Sequence, residues 1–267
     1  MLIAHEAPIS ILEKIRDITD IQYALVHLFD THPNYLNFFK LSLNLGREVL
    51  LDNSIFELGV AFDSERYVEY IYELKPTYYI VPDVLEDSNA TIEAYTNFTT
   101  NYQMVPGLKI GVVQGKTYDE LVECYKFMAD HADYIAISFD YSYYQLTGKS
   151  TSMDPEQAKL ERMCDGRQKF IDALIVDGYW DKRKPVHLLG CSLAREFASY
   201  KYVTNIRSVD TSNPVVAGIT GSRYLKNIGL FHKPKVLLAD LIDTELTSDQ
   251  MNDVLYNVEE FKHIVGR

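Results

Sequence analysis

The chain is poor in cysteine: Cys124, Cys164 and Cys191 are its only three among 267 residues. They are odd in number and widely spaced, so they suit neither a disulfide framework nor a Cys-x-x-Cys metal site. None of the seven histidines stands with cysteines or carboxylates at metal-ligand spacing, and we assign them no chemistry. The sequence therefore predicts no metal, no organic cofactor, and a reducing cytoplasm as the compartment.

Long apolar runs are also missing from the chain. No window approaches the roughly 18 apolar residues that a membrane-spanning helix requires. The N-terminus reaches Glu6 and Pro8 too soon to supply the basic region and apolar stretch of a signal peptide. We therefore expect neither secretion nor a membrane partner.

Positive charge is in deficit, with 26 Lys and Arg against 38 Asp and Glu and a formal net charge of -12. Non-specific nucleic-acid binding rests on phosphate neutralisation by Lys and Arg, so this balance excludes a uniformly basic polyanion binder. A one-sided binder stays open, because residues 140–236 hold 15 Lys and Arg against 10 Asp and Glu. The candidate nucleic-acid contacts there are Lys149, Lys182, Arg183, Lys184, Arg223, Lys226, Lys233 and Lys235. Short basic clusters are also common on plain solvated surface.

Glycine-rich phosphate loops are absent as well. The turn after the strand expected at residues 23–29 reads Asp30-Thr-His-Pro-Asn34 and contains no glycine, so the dinucleotide fingerprint of an open doubly wound sheet is missing. The segment Thr147-Gly-Lys-Ser-Thr151 is similar to the end of a P-loop, but Tyr143 stands where that motif requires glycine.

What the chain does have is an alternation of short apolar runs with capped helical stretches. Helix start signals include Asp63-Ser64, the capping boxes Thr117-x-x-Glu120 and Thr247-x-x-Gln250, and Asp154-Pro155 with Gly178 at the far end. Eight strands alternating with helices predict an α/β protein, a (β/α)8 TIM barrel forming a single domain over residues 1–267. The expected strands are residues 23–29, 48–51, 78–81, 108–113, 133–138, 186–189, 206–209 and 235–239.

The residues at the ends of these strands are unusually polar. In chain order they are Asp52, Asp83, Gln114, Asp140, Gly190, Asp210 and Asp240. In a barrel these ends meet at the face that carries catalysis, so Asp52, Asp83 and Asp210 should converge there. Converging carboxylates suit a divalent metal, acid and base work at a glycosidic bond, or a nucleophile towards a sugar carbon. Strand-end aspartates also commonly cap the following helix.

Several neighbouring residues suit the binding of a planar base. Gln114 can donate to and accept from an amide-bearing ligand, and Gly115 and Gly190 permit close approach of the backbone. Phe56 could stack on a base, although phenylalanine side chains are more often buried in the core. Residues 139–153 form a long stretch without periodicity, which indicates an active-site loop whose tyrosines either stack on unpaired bases or pack onto the barrel.

The order of the strand-end motifs resembles the tRNA-guanine transglycosylase superfamily, in particular its DpdA-type DNA guanine transglycosylases. Where that superfamily has Asp-Ser-Gly-Gly-Phe-Gln, this chain has Asp52-Asn-Ser-Ile-Phe-Glu57. The family's Gly-Ile-Val-Gln-Gly run is similar to Gly111-Val-Val-Gln-Gly115. Asp83 matches the aspartate that reads the guanine edge, His187-Leu-Leu-Gly190 looks like a Leu-x-Val-Gly strand end, and Asp210 looks like the nucleophile after the seventh strand.

The chain also departs from the family pattern. Ser54 and Ile55 replace two glycines, and Glu57 replaces a glutamine. The Cys-x-Cys-x-x-Cys plus His zinc element of the tRNA enzymes is missing, because no cysteine follows Cys191. The resemblance therefore implies a compact, phage-like or modification-cluster enzyme that acts on DNA in the cytoplasm, the host cytoplasm if phage-encoded.

The resemblance implies that guanine in DNA is exchanged for a 7-deazaguanine such as preQ0. Asp210 would form a covalent glycosyl intermediate and Asp52 would act as general acid and base. Asp83, Gln114, Gly115, Gly190 and Phe56 would bind the base, which must leave the helical stack or lie in single-stranded DNA. Three alternatives stay open: a related enzyme acting on RNA, a non-catalytic nucleobase-binding accessory barrel, and an unrelated metal-dependent hydrolase using Asp52, Asp83 and Asp240.

Overall fold

The computed structural model describes all 267 residues and shows the expected (β/α)8 TIM barrel. All strands pair in parallel with their neighbours in chain order, and the last strand closes on the first. The strands are β1 (Leu2–His5), β2 (Ile21–Leu25), β3 (Glu48–Asp52), β4 (Tyr78–Ile80), β5 (Leu108–Val113), β6 (Tyr134–Ser138), β7 (Val186–Leu189) and β8 (Ile206–Thr211).

Helices fill the connections on the outside of the barrel. They are α1 (Leu12–Ile18), α2 (Leu28–Thr31), α3 (Pro33–Asn44), α4 (Ile55–Leu58), α5 (Ser64–Leu74), α6 (Ser88–Asn101), α7 (Tyr118–His131), α8 (Ser142–Thr147), α9 (Pro155–Val176), α10 (Asn213–Ile219) and α11 (Ser248–Val265). Shorter 3-10 turns span Ile9–Ile11, Ala194–Tyr200 and Leu238–Leu241. No helix is both long and apolar enough to cross a membrane.

The helix starts expected from the sequence are confirmed. Both capping boxes are present, with the Thr117 hydroxyl accepting from the Glu120 amide and the Thr247 hydroxyl accepting from the Gln250 amide. Asp63 caps α5 and Asp154 caps α9 in the same way. These side chains satisfy backbone amides that the first turn of a helix leaves without a partner.

The strand prediction was wrong at the two ends of the chain. The barrel begins with β1 at Leu2–His5, which was missed, and the segment expected as a strand at 235–239 forms no strand. That segment instead runs into the turn at Leu238–Leu241 and covers part of the barrel mouth. The strand expected at 23–29 ends at Leu25, because Leu28–Thr31 is helical. Asp210 therefore lies near the end of the eighth strand, not after the seventh.

The β8–β1 seam explains how the barrel closes at the site. Ala4 pairs with Asp210 in register, so their side chains point to the same face of the sheet, and the small Ala4 leaves room beside the carboxylate. His5, the next residue along, points outwards and packs edge-on against Phe261 of α11. Strand β8 thus carries Asp210 towards the barrel interior, while the outer face of β1 packs against α11 through His5.

Candidate active site

A cavity of about 490 Å³ opens at the C-terminal ends of the strands. Asp52, Asp83 and Asp210 all line it, so the structure brings these three strand-end carboxylates together. Phe56, Gln114 and Gly190 also line the cavity. Asp140 and Asp240 do not reach it.

Asp210 is held at the end of β8 by two donors. The Nε2 atom of His187 lies 2.9 Å from Asp210 Oδ1, and the backbone N–H of Gly190 donates to the same oxygen at 3.1 Å. Asp210 Oδ2 receives no hydrogen bond from the protein, although the residue is 4% exposed. One carboxylate oxygen is therefore fixed and the other is left for a ligand.

Asp52 lies at the end of β3 in a different environment. Its Oδ2 accepts a 2.6 Å hydrogen bond from the Tyr23 hydroxyl, and its Oδ1 accepts from the backbone N–H of Ser54. Burial and the negative charge of Glu57 raise the pKa of Asp52 well above its ordinary value, although the two hydrogen bonds work in the opposite direction. Asp52 thus keeps its proton to a higher pH than an ordinary aspartate does.

Asp83 is fixed on both oxygens by side-chain amides. Asn53 donates to Asp83 Oδ1 and Gln114 donates to Asp83 Oδ2, each at 2.7 Å. Gln114 is itself oriented, because its Oε1 accepts from the backbone N–H of Glu86 at 2.8 Å. Burial raises the pKa of Asp83 despite these donors. The three side chains form a rigid hydrogen-bonding edge along one wall of the cavity.

The two predicted binding glycines have different surroundings. Gly115 does not line the cavity, and a Cβ atom there would lie 2.9 Å from Glu120 Cβ, so this glycine allows α7 to pack closely. Gly190 does line the cavity and has a φ of +67°, a left-handed conformation that favours glycine. A side chain at Gly190 would collide with the ring of Phe139. Its amide is directed at Asp210, not at the open cavity.

Two phenylalanines provide the aromatic surface of the mouth. Phe56 on α4 is 59% exposed and lies 6.5 Å from Phe139, measured between ring centroids. Phe139 follows β6 and belongs to the loop expected at 139–153. Part of that stretch is not an irregular loop, because residues 142–147 form α8. Of its tyrosines, Tyr141 and Tyr144 are fully buried, and Tyr143 is half-buried against Phe170. Stacking of Tyr141 and Tyr144 on bases is therefore ruled out, since they pack onto the barrel.

The predicted basic contacts do not form one surface. Lys233 and Lys235 line the mouth, and Lys235 pairs with Glu156 at 2.7 Å. Lys149 lies on the mouth side but outside the cavity, and Arg223 pairs with Asp253 of α11, with Lys226 close by in sequence. Lys182, Arg183 and Lys184 precede β7, so they lie at the opposite end of the barrel. The expectation of a single basic side is therefore wrong for that cluster.

A metal site built from Asp52, Asp83 and Asp240 is not supported by the arrangement of these residues. Asp240 is exposed on the Leu238–Leu241 turn and does not line the cavity. No group of three or more His, Cys, Asp or Glu side chains is placed to hold a metal ion. The third ligand of the hydrolase alternative is therefore missing from the mouth.

Sequence reasoning missed two polar residues that line the cavity, Glu6 and Tyr23, and also His187, which is fully buried against Asp210. Glu6 follows β1, and burial together with the charges of Asp210 and Glu57 raises its pKa well above the ordinary value. Tyr23 and His187 stack with ring centroids 6.5 Å apart, and each contacts one of the two central carboxylates. The sequence signal that could have found His187 is the alternation of inward and outward side chains along a strand. His187 and Ser208 occupy paired positions of β7 and β8, and both face inwards.

A buried ion pair supports the strand ends from behind. Arg167 of α9 binds Glu196 through two hydrogen bonds of 2.6 and 2.9 Å, and both side chains are fully buried. Arg167 also donates to the backbone carbonyls of Leu189 and Gly190. The pair thus fixes the backbone that presents the Gly190 amide to Asp210.

No protein-family model matches the chain, and no curated protein matches it significantly in sequence. Roles for its residues therefore rest on the geometry of the mouth and on the motifs described above.

Proposed function

We propose that the protein is a DNA guanine transglycosylase, which exchanges guanine in DNA for a 7-deazaguanine base such as preQ0. The observation that carries this proposal is the unlike pair of carboxylates at one mouth. Asp52 is buried with a raised pKa, whereas Asp210 is held by two donors on one oxygen with the other oxygen unoccupied. Carboxylates in such contrasting environments are suited to divide acid and nucleophile roles at a glycosidic bond.

In the first half of the reaction, Asp210 Oδ2 attacks C1' of the target nucleotide as the bond from C1' to guanine breaks. The electron pair of that bond goes to the departing base, which takes a proton from Asp52. In the second half, Asp52 removes a proton from the incoming base, whose nitrogen attacks C1' and releases Asp210 as a carboxylate. The exchange is balanced in atoms and charge and uses protein carboxylates alone.

The hydrogen-bonding edge of Asp83 and Gln114 is suited to a guanine-type base. A carboxylate fixed by neighbouring amides can accept from the N–H groups on the edge of guanine, and a 7-deazaguanine presents the same edge. The exposed ring of Phe56 is available to stack on the face of the base. These residues position the base without taking part in proton transfer.

The local backbone at β3 is compatible with the motif resemblance. Ser54 adopts a left-handed conformation with φ of 57°, at the position where the family has the first of its two glycines. Its hydroxyl accepts from the backbone N–H of His27, and its own N–H donates to Asp52. The turn that the family builds with glycine is thus formed here by a serine, and it directs an amide at the proposed acid.

The test is incubation of the protein with DNA and, separately, with tRNA, each in the presence of radiolabelled guanine or preQ0. Incorporation into DNA is expected. Incorporation into tRNA alone would favour the RNA-modifying alternative, and binding of the base without incorporation into either polymer would favour an accessory barrel.

Variants of the proposed nucleophile sharpen the test. Asp210→Ala and Asp210→Asn should abolish exchange, and Asp210→Asn should still bind the base without forming a covalent DNA adduct on a denaturing gel. Asp240→Asn is the matched control, because it makes the same chemical change at an exposed position outside the cavity. Exchange or an adduct surviving in Asp210→Asn would remove Asp210 from its assigned role.

A further inference from the structure

His187 is a fully buried histidine placed between two polar partners. Its Nδ1 lies 2.8 Å from the hydroxyl of Ser208, and its Nε2 lies 2.9 Å from Asp210 Oδ1. The ring lies nearly parallel to that of Tyr23, at an interplanar angle of 16° with the ring centroids 6.5 Å apart. A buried histidine with both ring nitrogens in contact is fixed in orientation, and the identity of its partners determines where its proton lies.

The partners select one tautomer. A carboxylate can only accept hydrogen bonds, so Nε2 must carry the proton that is donated to Asp210. Nδ1 then has a lone pair, which accepts the hydroxyl proton of Ser208. The opposite tautomer would bring the lone pair of Nε2 against a carboxylate oxygen inside a buried site. The chain of donors therefore runs from Ser208 through His187 to Asp210.

We propose that His187 is a positioning residue for Asp210, and that its role is to make this carboxylate a good leaving group in the second half of the exchange. This inference rests on the proposed function. Together with the amide of Gly190, His187 places two donors on Oδ1, while Oδ2 bonds to C1'. When the bond from C1' to Oδ2 breaks, its electron pair returns to the carboxylate, and both donors are already in place to stabilise the returning charge.

The donors act unequally on the two halves of the reaction. In the attack step, the two donors withdraw electron density from the nucleophilic carboxylate, so their removal leaves the rate of attack nearly unchanged or raises it. In release, they stabilise the developing carboxylate, so their removal slows the step. Loss of the His187 donor should consequently raise the fraction of enzyme trapped as the covalent glycosyl adduct. A residue with a merely structural role would lower adduct formation and turnover together.

The experiment compares wild type with His187→Leu and His187→Gln. In His187→Leu we expect kcat for exchange to fall on the order of 100-fold, with KM for DNA little changed, and more adduct to accumulate on a denaturing gel. His187→Gln should recover much of the turnover, because its side-chain N–H can replace the Nε2 donor. His263→Leu, at an exposed position on α11, is the matched control.

A decrease of the covalent adduct in His187→Leu that parallels the decrease of kcat would overturn the proposal. A His187→Gln variant that folds but recovers none of the turnover would overturn it as well. A second measurement needs no substrate. Nitrogen-15 NMR of the ring should show the proton on Nε2 of His187 in the free protein, and a ring protonated on Nδ1 alone would also overturn the proposal. If the Nε2 proton is found but wild type exchanges no base in DNA or tRNA, the proposed function fails while the link between His187 and Asp210 stands.

Discussion

Replacing Tyr23 with phenylalanine should raise the pKa of Asp52. The Tyr23 hydroxyl is buried and donates to Asp52 Oδ2 at 2.6 Å, a contact that stabilises the charged carboxylate and lowers its pKa. A hydrogen bond to a charged group contributes about 1.5 to 3 kcal/mol. Since one pKa unit corresponds to about 1.4 kcal/mol, Tyr23→Phe should raise the pKa of Asp52 by about one to two units.

The assay is the pH dependence of adduct formation in a single turnover with guanine-containing DNA. This step isolates the proposed acid role of Asp52, which in the proposed mechanism must be protonated for guanine to leave. A carboxyl group with a higher pKa keeps its proton to a higher pH. The basic limb of the profile should therefore move to higher pH by about one to two units in Tyr23→Phe.

Tyr144→Phe provides the control for this experiment. The Tyr144 hydroxyl is buried without a hydrogen-bond partner, and the residue does not line the cavity. Tyr144→Phe should leave the pH profile unchanged. The free energy of unfolding should stay nearly the same or rise slightly. A basic limb that stays in place in Tyr23→Phe, or that moves to lower pH, would refute the assignment of Asp52 as the acid.

Three further predictions concern the rest of the molecule. Arg167→Met should lower the free energy of unfolding by about 3 to 5 kcal/mol in a urea titration, because it leaves Glu196 buried without its partner; a loss below about 1 kcal/mol would contradict this. Burial lowers the pKa of His5 from 6.5 to about 3, so the folded state resists its protonation, and this residue costs stability as the pH falls from about 6.5 towards 3. Between pH 7 and pH 4, the free energy of unfolding of wild type should fall by about 3 kcal/mol more than that of His5→Leu. Equal pH dependence of the two proteins would show that His5 is not buried as a neutral group. Lys233→Ala should weaken DNA binding and reduce the salt slope by about one, whereas Lys182→Ala, at the other end of the barrel, should change neither; equal effects would place the DNA elsewhere.

The fold was predictable from the sequence because seven of its eight strands are short, mainly apolar runs that alternate with helical stretches, several of which carry clear capping residues. The failures occurred where local composition is ambiguous. No helical stretch precedes Leu2–His5, so the alternation of strands and helices does not mark it, and its strand character depends on pairing with β2 and β8. The segment at 235–239 has the apolar composition of a strand, but the closed barrel leaves it no partner. Pairing is a tertiary property, and composition alone does not report it.

The candidate site was predictable to the extent that its residues sit at strand ends. Asp52, Asp83 and Gln114 met in one cavity because parallel strands bring their C-terminal ends to one face. The contacts that distinguish Asp52 from Asp210 were not predictable, because they come from Tyr23 and His187 on other strands. The basic cluster before β7 could have been placed from the sequence. A connection from helix to strand returns to the N-terminal face of a barrel, away from the mouth.

The charge of the mouth is consistent with a reaction that moves protons. Five carboxylates line the cavity, those of Glu6, Asp52, Glu57, Asp83 and Asp210, with Lys233 and Lys235 as the only lysines. Burial, together with repulsion among several of these groups, raises the pKa of Glu6 and Asp52 well above their ordinary values, so both groups keep their protons to a higher pH than free carboxyl groups do. A site that retains protons in this way can give one to a departing base and accept one from the base that replaces it. Each proton held there also lowers the repulsion that a phosphate group would meet at the mouth.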